Sequence, residues 1–220
     1  MIKLGLLGAT GRMGQKVEGL IEKSYSDRVT LAPLLKCEVV IDFASPQGVL
    51  ALVKQMGSDP FPVFVIGSTG WTPEQQLELE PLFEKTLVVQ SSNFSLGVLA
   101  FQRILRDAAP LLSRLGYEPS IVETHHVHKK DAPSGTAISL QKILNPAAPG
   151  AIATQSIREG EVIGDHLITF QGLEDRIQMG HFAQDRAIFA RGAIEVGMWL
   201  FQKRVDGPRA KGRVFIEEFL

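Results

Sequence analysis

At 220 residues the chain is long enough for one large domain or two small ones, each with its own hydrophobic core. Its hydrophobic content of 45% and charged content of 21% are those of an ordinary soluble protein, and the formal net charge is -1. A sequence without a basic excess, and without a run that mixes aromatic and basic residues, indicates that nucleic acid is not a partner.

Cysteine usage and hydropathy indicate the compartment. Cys37 is the single cysteine, so no disulfide can form within the chain, which fits a reducing environment. The apolar residues 2–7 are followed by glycine and not by a signal-peptide cleavage site, and no stretch approaches the ~18 apolar residues of a membrane span. We therefore expect a cytoplasmic protein with no membrane partner.

Strand and helix periodicities alternate in the first half of the chain. Hydrophobic spacing predicts strands at residues 2–7, 29–35, 38–43, 63–66 and 87–89, a helix at 12–23, a helix around 49–56 and a helix that opens at Thr72 and Pro73. This alternation is typical of βαβ units, in which helices cover both faces of a parallel sheet.

The pattern changes after residue 93. A long helix is predicted at residues 97–115, short alternating strands near 152–158, 166–170 and 176–179, and a final apolar helix at about 187–203. The predicted fold is α/β, a Rossmann-type parallel-sheet domain with a second α+β domain that carries a mixed or antiparallel sheet. We assign residues 1–96 plus 187–220 to a dinucleotide-binding domain and 97–186 to a domain for substrate binding and oligomerisation.

A glycine-rich turn joins the first strand to the first helix. Gly8, Gly11 and Gly14 have the spacing G-x-x-G-x-x-G, a variant of the dinucleotide-binding fingerprint. Glycine suits this position because the chain must turn tightly, let a pyrophosphate approach the backbone and pack the helix close to the strand.

Two polar turns follow later strands of the same predicted sheet, at residues 67–70 and 91–95. Ligands of open α/β sheets bind at the carboxyl ends of strands, so these turns are candidates for one edge of a dinucleotide cleft. The alternative is ordinary turn chemistry, for which glycine, serine and asparagine are also suited.

The end of the second strand lacks the acidic residue that commonly binds the ribose hydroxyls of NAD. Residues 29–37 contain neither Asp nor Glu, and Lys36 lies there instead. Lys36 is either a solvated loop lysine or a contact for the 2′-phosphate of NADP, and Arg12 is the other candidate for that contact. We predict that NADPH is used at least as well as NADH.

Residues 123–137 combine three of the five histidines with two lysines and a Pro-Ser-Gly-Thr turn. Imidazoles and ammonium groups form a cationic, proton-donating cluster. Ser134, Gly135 and Thr136 then open an apolar-periodic run, so the amides of a helix N-terminus are expected to point toward the cluster. This arrangement predicts a site for a small carboxylate; the alternative is a solvated basic loop between a strand and a helix.

The remaining polar residues of the second half are less specific. Arg158 is interpreted as structural in preference to substrate-binding, because most arginines are solvated or paired. His166 and His181 are not expected to bind metal, because no cysteine or carboxylate cluster at ligand spacing accompanies them.

With these motifs in hand, the chain resembles the dihydrodipicolinate reductase (4-hydroxy-tetrahydrodipicolinate reductase) family from end to end. The resemblance is carried by residues 8–14, 39–43, 67–70, 93–95, 123–137 and 156–160, and most specifically by the run from His125 to Thr136. The sequence departs from the family in a short segment before Val39 and in Ser68 and Trp71, which replace commoner residues.

The resemblance implies a role for each matching residue. His125 and Lys129 correspond to the catalytic pair, and His126, Gly135 and Thr136 to contacts of a dicarboxylate substrate. The positions that match contacts of NADPH or NADH are Gly8, Ala9, Thr10, Gly11, Arg12, Met13, Gly67, Ser68, Thr69, Ser91, Ser92, Asn93 and Phe94. The family also implies a homotetramer, assembled through the sheet of the second domain, and a reaction in lysine and diaminopimelate biosynthesis.

The chemistry suits these residues. A nicotinamide cofactor delivers hydride to a conjugated C=C–C=N ring, and either Lys129 or His125 can then donate the proton. A non-catalytic NAD(P)-sensing or scaffold protein is the alternative from another class, and it is expected to lose this pair. An amino-acid dehydrogenase of the homoserine or aspartate type is expected to lack the Asp-Ala-Pro-Ser-Gly-Thr turn that begins at Asp131.

Overall fold

The computed structural model describes residues 1–57, 60–146, 151–207 and 210–220, which form two compact units. Unit 1 comprises Met1–Ser95 and Ala187–Leu220, and unit 2 comprises Leu96–Arg186. The elements of unit 1 are β1 (Ile2–Leu7), α1 (Arg12–Leu20), β2 (Val29–Leu31), β3 (Val39–Asp42), α2 (Pro46–Gln55), β4 (Val63–Ile66), α3 (Pro73–Phe83), β5 (Leu87–Gln90), α6 (Ala187–Asp206) and β10 (Gly212–Val214). Those of unit 2 are α4 (Leu96–Arg114), β6 (Glu118–His125), α5 (Gly135–Leu144), β7 (Ala153–Arg158), β8 (Asp165–Gln171) and β9 (Arg176–Phe182).

Unit 1 is built on a sheet whose six strands within the described residues are all parallel, in the order β10-β5-β4-β3-β1-β2. In the central strands, residues 39–41 of β3 and all of β4 are valine, isoleucine and phenylalanine, and they are fully buried. Strands covered on both faces need such runs, because neither face meets water. The carboxyl ends of β1, β3, β4 and β5 therefore meet at one edge of the sheet.

Local capping fixes where α2 and α3 begin. Ser45 accepts a hydrogen bond from the amide of Gly48 at 3.2 Å, at the start of α2. Thr72 and Gln75 form a reciprocal capping box at the start of α3, and Pro73 occupies its first turn. The prediction of Thr72 as an N-cap is confirmed.

The last helix, α6, packs against β3, β4 and β5. It therefore belongs to unit 1, although it follows unit 2 in the sequence. The approach is close at Gly197, where an added Cβ would lie 2.9 Å from Val39 Cγ1. Nowhere in the described part of the chain is a helix both long and apolar enough to cross a membrane.

Unit 2 is a four-stranded sheet, within the described residues, of order β7-β6-β8-β9. β6 pairs parallel with β7 and antiparallel with β8, and β8 pairs antiparallel with β9. Helices α4 and α5 cover one face, where Phe101, Leu105, Leu140, Ile121 and Ile168 form the core. The predicted fold class, a Rossmann-type parallel sheet with a second domain that has a mixed sheet, is confirmed.

Several predicted bounds were wrong. The strand predicted at residues 29–35 ends at Leu31, and Leu34–Lys36 form a 3-10 turn after Pro33, which has no amide to donate to a neighbouring strand. The first helix ends at Leu20 and continues as a single π-helical segment, Ile21–Tyr25. The strands β6 and β10 were not predicted.

Candidate active site

The turn after β1 is shaped by its glycines. Gly8 has φ +90°, a conformation that disfavours any other residue, and its carbonyl accepts the Gly11 amide at 3.0 Å. At Gly14, inside the first turn of α1, an added Cβ would lie 2.2 Å from the carbonyl oxygen of Gly8. The start of α1 therefore sits directly on the turn, and its amides face the edge of the sheet.

A buried carboxylate that the sequence did not single out ties two of the loops together. Asp42, at the end of β3, accepts the amide of Ala44 at 2.8 Å and that of Ser68 at 3.2 Å. Burial raises the pKa of Asp42, and the hydrogen bonds from Ser68 and Ala44 oppose that shift. The turn that begins at Gly67 is held against β3, since an added Cβ on Gly67 would meet the Phe43 ring at 2.6 Å.

The turn after β5 is organised by its own polar side chains. Ser91 Oγ donates to the Asn93 carbonyl at 2.8 Å and accepts the Asn93 amide, while Asn93 Oδ1 accepts the amide of Ser95 at 2.8 Å. Phe94 is buried and meets Phe43 edge to face, with ring centroids 6.3 Å apart. Ordinary turn chemistry, the alternative interpretation of these residues, is therefore present, and it holds this loop next to the one that follows β3.

The predicted nucleotide-site residues of these loops thus lie at one edge of the sheet. Gly8 to Met13 follow β1, Gly67 to Thr69 follow β4, and Ser91 to Phe94 follow β5. Lys36 differs, because it lies in the 3-10 turn beyond β2 and its side chain is exposed. The glycine cradle, which leaves no room for a Cβ at Gly14, fits the close approach of a dinucleotide pyrophosphate.

In unit 2, the sheet register assembles the histidine cluster. His125 is the last residue of β6 and lies opposite Arg158 of β7. Glu123, two residues earlier and so on the same face of the strand, lies opposite His166 of β8. This is the buried face of the sheet: Glu123, His125 and His166 are 0%, 8% and 3% exposed.

The Glu123 carboxylate connects the imidazole of His125 to the guanidinium of Arg158. Its Oε2 is hydrogen-bonded to His125 Nδ1, and its Oε1 accepts from Arg158 Nη2 at 2.9 Å. Burial lowers the pKa of His125, while the charge and hydrogen bond of Glu123 raise it. On balance, the pKa of His125 lies below its usual value.

The loop between β6 and α5 is tied to the same network. Lys129 Nζ donates to Asp131 Oδ1 at 2.8 Å, and Arg158 Nη2 also donates to the Asp131 carbonyl at 2.6 Å. The charge of the Lys129 ammonium lowers the pKa of the His125 imidazole. The assignment of Lys129 and His125 as a catalytic pair stays a prediction.

Ser134 links the start of α5 to the imidazole of His166. Its Oγ accepts the Ala137 amide at 3.1 Å, as an N-cap does, and lies 3.2 Å from His166 Nε2. Burial lowers the pKa of His166 to about 4, and the charge of His125 adds to that shift. Gly135 and Thr136 form the first turn of α5 next to this contact.

Glu123, His125 and His166 each offer one ligand atom, and these atoms lie within 4.8 Å of one another. The reason given for expecting no metal was wrong, because the register brings a carboxylate next to His166 although the two are far apart in sequence. Arg158 already binds that carboxylate, and its positive charge disfavours a cation. The absence of a metal site stays a prediction.

Comparison with known proteins covers both units. Family models described as "Dihydrodipicolinate reductase, N-terminus" and "Dihydrodipicolinate reductase, C-terminus" match residues 25–94 and 97–211. The chain belongs to the dihydrodipicolinate reductase family. The resemblance that the motifs indicated is thereby confirmed.

Individual members of the dihydrodipicolinate reductase family match over nearly the whole chain. The 4-hydroxy-tetrahydrodipicolinate reductase of Caulobacter vibrioides is 32% identical over an alignment of 236 positions, and the match covers 90% of this chain and 91% of that protein. That of Methanocorpusculum labreanum is 34% identical over an alignment of 254 positions, and the match covers 98% of this chain and 97% of that protein. The solved structure of dipicolinate-bound dihydrodipicolinate reductase from Paenisporosarcina sp. TG-14 has a TM-score of 0.73, 22% identity and 100% coverage of both chains, and so shares the fold.

The two residues that replace commoner ones in the dihydrodipicolinate reductase family, Ser68 and Trp71, contact each other. The indole Nε1 of Trp71 donates to the carbonyl of Ser68 at 3.0 Å, so the two residues close the turn after β4 on each other. Arg158 binds Glu123 and the carbonyls of Ile157 and Asp131, and its interpretation as structural stays a prediction. Glu123, Asp131 and His166 were not assigned roles, and only the two-residue spacing of Glu123 and His125 was a readable signal.

Proposed function

We propose that this chain is a 4-hydroxy-tetrahydrodipicolinate reductase, which reduces the dihydrodipicolinate ring to tetrahydrodipicolinate with NADPH or NADH in lysine and diaminopimelate biosynthesis. The observation that carries the proposal is the His125 imidazole, buried against Glu123, with the Lys129 ammonium in the loop that follows β6. Membership of the dihydrodipicolinate reductase family supports the same reaction.

The substrate-binding residues proposed are His126, Gly135 and Thr136. Gly135 and Thr136 lie in the first turn of the ten-residue helix α5, where backbone amides and the helix dipole favour an anion. His126 directly follows β6, and its buried Nδ1 has no hydrogen-bond partner among the described residues. A dicarboxylate suits this group of donors, and a family relative has been solved with dipicolinate bound.

The cofactor is proposed to bind at the carboxyl edge of the sheet in unit 1. The cradle of Gly8, Gly11 and Gly14, followed by the amides of α1, binds the pyrophosphate, and the turns at residues 67–69 and 91–94 line the remainder. A reduced nicotinamide, when bound, supplies the hydride. The charge of Lys36, or of Arg12, favours the 2′-phosphate of NADPH.

The chain's own residues have two tasks in the reaction, to neutralise two carboxylates and to hold a proton beside the ring. The lysine and the helix amides perform the first task. For the second, His125 must carry a proton although burial lowers its pKa. A dianionic substrate next to the imidazole raises that pKa, so the proton is taken up where it is needed.

Domain roles, assembly and location complete the proposal. Residues 1–96 with 187–220 bind the dinucleotide, and residues 97–186 bind the substrate and assemble a homotetramer in the cytoplasm. The open face of the unit 2 sheet supports assembly, since α4 and α5 cover only the other face and Phe182 is 59% exposed. Cys37, the single cysteine, fits a reducing compartment.

The reaction is tested by following NADPH and NADH oxidation with the freshly generated product of dihydrodipicolinate synthase, which supplies the unstable ring. We expect turnover with both cofactors, and NADPH to serve at least as well as NADH. No oxidation above the rate without ring substrate would refute the proposed function.

A further inference from the structure

Glu123 occupies the best-protected position of the unit 2 sheet. Its strand, β6, is flanked on both sides, by Ser156 of β7 and by His166 of β8 at the level of Glu123 itself. The side chain is 0% exposed. Burying a carboxylate costs free energy unless both of its oxygens are hydrogen-bonded or paired with a charge. The partners of Glu123 therefore indicate its role.

Both carboxylate oxygens have charged or proton-bearing partners. Oε2 is bound to His125 Nδ1, and Oε1 accepts from Arg158 Nη2 at 2.9 Å. Burial alone raises the pKa of Glu123, but hydrogen bonds from Ser156 and Arg158 and the charges of His125 and Arg158 outweigh it, so the pKa lies below its usual value. The group is therefore an ionised acceptor near neutral pH.

An ionised carboxylate can only accept, and this dictates the state of the imidazole. Nδ1 of His125 must carry hydrogen, which leaves Nε2 as the atom that exchanges the catalytic proton. Nε2 lies next to Gly164, and a Cβ added to that residue would be 3.0 Å from the nitrogen. Because residue 164 is glycine, no side chain at that position covers Nε2.

We infer that Glu123 is a positioning residue for the proposed reaction, which holds His125 as the Nδ1–H tautomer with Nε2 presented to the substrate, and that Arg158 locks the carboxylate in place. This inference rests on the proposed function only for the role of His125 as a proton donor. The tautomer of His125, and the hydrogen bond to Glu123 that sets it, are properties of the protein without substrate.

Arg158 is well placed to lock the carboxylate. Besides Glu123, its guanidinium donates to the Ile157 carbonyl at 2.7 Å and to the Asp131 carbonyl at 2.6 Å. Asp131 in turn accepts from Lys129. A shift of Glu123 therefore disturbs the loop that carries the second member of the catalytic pair as well as the imidazole.

The charged and titratable groups that face His125 come from three strands and one loop. They are Glu123 on the same strand, Arg158 on β7, His166 on β8 and Lys129 in the following loop. Of the charges that act on His125, Glu123 raises its pKa, whereas Lys129 and Arg158 lower it. Replacing Glu123 by a neutral residue must therefore lower the pKa of His125 further.

The first test uses the wild-type protein without substrate. Proton–nitrogen correlation spectra of protein with isotope-labelled histidine report which ring nitrogen carries hydrogen. We expect neutral His125 to be protonated at Nδ1, and its Nε2 resonance to respond when dipicolinate is added. A neutral His125 with hydrogen on Nε2 would overturn the inference, whatever the activity of the enzyme.

The second test compares Glu123→Gln with Glu118→Gln, which removes the same charge from an exposed position at the start of the same strand. Glu123→Gln should lower kcat by about tenfold or more, with little change in the KM for the cofactor. The fall of kcat at alkaline pH should move to lower pH, because His125 loses its proton earlier. Glu118→Gln should behave as wild type in both respects.

A third variant separates positioning from simple charge balance. Glu123→Gln leaves the Arg158 guanidinium unpaired, and the combined variant Glu123→Gln/Arg158→Gln removes both charges. If Glu123 acts on His125, the combined variant recovers thermal stability while kcat does not recover, and the pH profile returns only part of the way because Arg158 also lowers the pKa of His125. Full recovery of kcat in the combined variant would show that Glu123 only balances Arg158, and would refute the positioning role.

Failure of the inference is distinguishable from failure of the proposed function. An active wild type whose kcat and pH profile are unchanged in Glu123→Gln contradicts the inference alone. A wild type without reductase activity contradicts the proposed function, and the tautomer of His125 is then still measured by its spectrum.

Discussion

Folding strongly lowers the proton affinity of His166. Its pKa falls from 6.5 to about 4 because the imidazole is buried. Between these two pH values the unfolded chain binds a proton at this residue and the folded chain does not. Stability is therefore unaffected above about pH 6.5 and is lost as the pH falls toward about 4, by roughly 3 kcal/mol at most from this residue.

We predict that His166→Gln weakens this pH dependence. Urea unfolding at about pH 7 and about pH 4.5 should show a smaller loss of unfolding free energy in the variant than in the wild type. His128→Gln, at a position 76% exposed, is the matched control and should keep the wild-type difference. An equal loss in all three proteins would mean that folding does not lower the pKa of His166.

Cofactor preference also belongs to the scale of single residues. Lys36→Ala should raise the KM for NADPH and leave the KM for NADH nearly unchanged, because only NADPH carries a 2′-phosphate. The effect should be modest, since Lys36 is exposed and a screened pair of this kind contributes about 1 kcal/mol or less. Steady-state kinetics with both cofactors measure it, and a parallel change in both constants would show that Lys36 does not contact the phosphate.

Sequence reasoning found the residues of the site that lie in one run of the chain, and missed those that the sheet supplies. His125, Lys129 and the helix start at Ser134 are close in sequence, so their grouping was predictable. Arg158 and His166 reach the same place through strand register, which depends on how four strands pair and cannot be read from spacing.

At the scale of elements, the start of α1 has a strict steric requirement. We predict that Gly14→Ala destabilises the protein and abolishes tight cofactor binding, because its Cβ would lie 2.2 Å from the Gly8 carbonyl. Gly19→Ala in the same helix is the control, since its Cβ would meet nothing within 4 Å. That change should stabilise the protein by about 0.5–1 kcal/mol, because alanine is the better helix former.

Thermal unfolding and cofactor titration of both variants measure this contrast. Wild-type cofactor affinity in Gly14→Ala would show that the cradle shifts without cost, and that the glycine turn is not the pyrophosphate site.

Elements with strong local signals were predictable, and elements that depend on distant pairing were not. β3 begins with the apolar run of residues 39–41, and α3 has a cap and a proline at its start, so both were recognised. β10 is three residues long and exists because it pairs with β5, more than a hundred residues earlier in the chain. Its sequence alone has too few residues for a period to be visible.

At the scale of the whole molecule, we predict a homotetramer of about 96 kDa from four chains of 24.1 kDa. The face of the unit 2 sheet opposite α4 and α5 carries Val122, Leu167 and Phe182, and β9 is an edge strand. Light scattering after size exclusion measures the mass. A monomer at micromolar concentration would contradict the prediction.

Phe182→Asp should shift the assembly to smaller species, because it places a charge on that face. Leu173→Asp is the matched control. It adds the same charge at a position 98% exposed, between β8 and β9, and should leave the tetramer intact.

The central claim is that His125 and Lys129 supply the proton for reduction of the ring, and steady-state kinetics of single variants test it most directly. His125→Ala and Lys129→Ala should each lower kcat by roughly 10²-fold or more, with cofactor affinity hardly changed, because general acid–base groups contribute this much. Lys130→Ala, a neighbouring exposed lysine, should retain wild-type turnover. Wild-type kcat in both His125→Ala and Lys129→Ala would contradict the account.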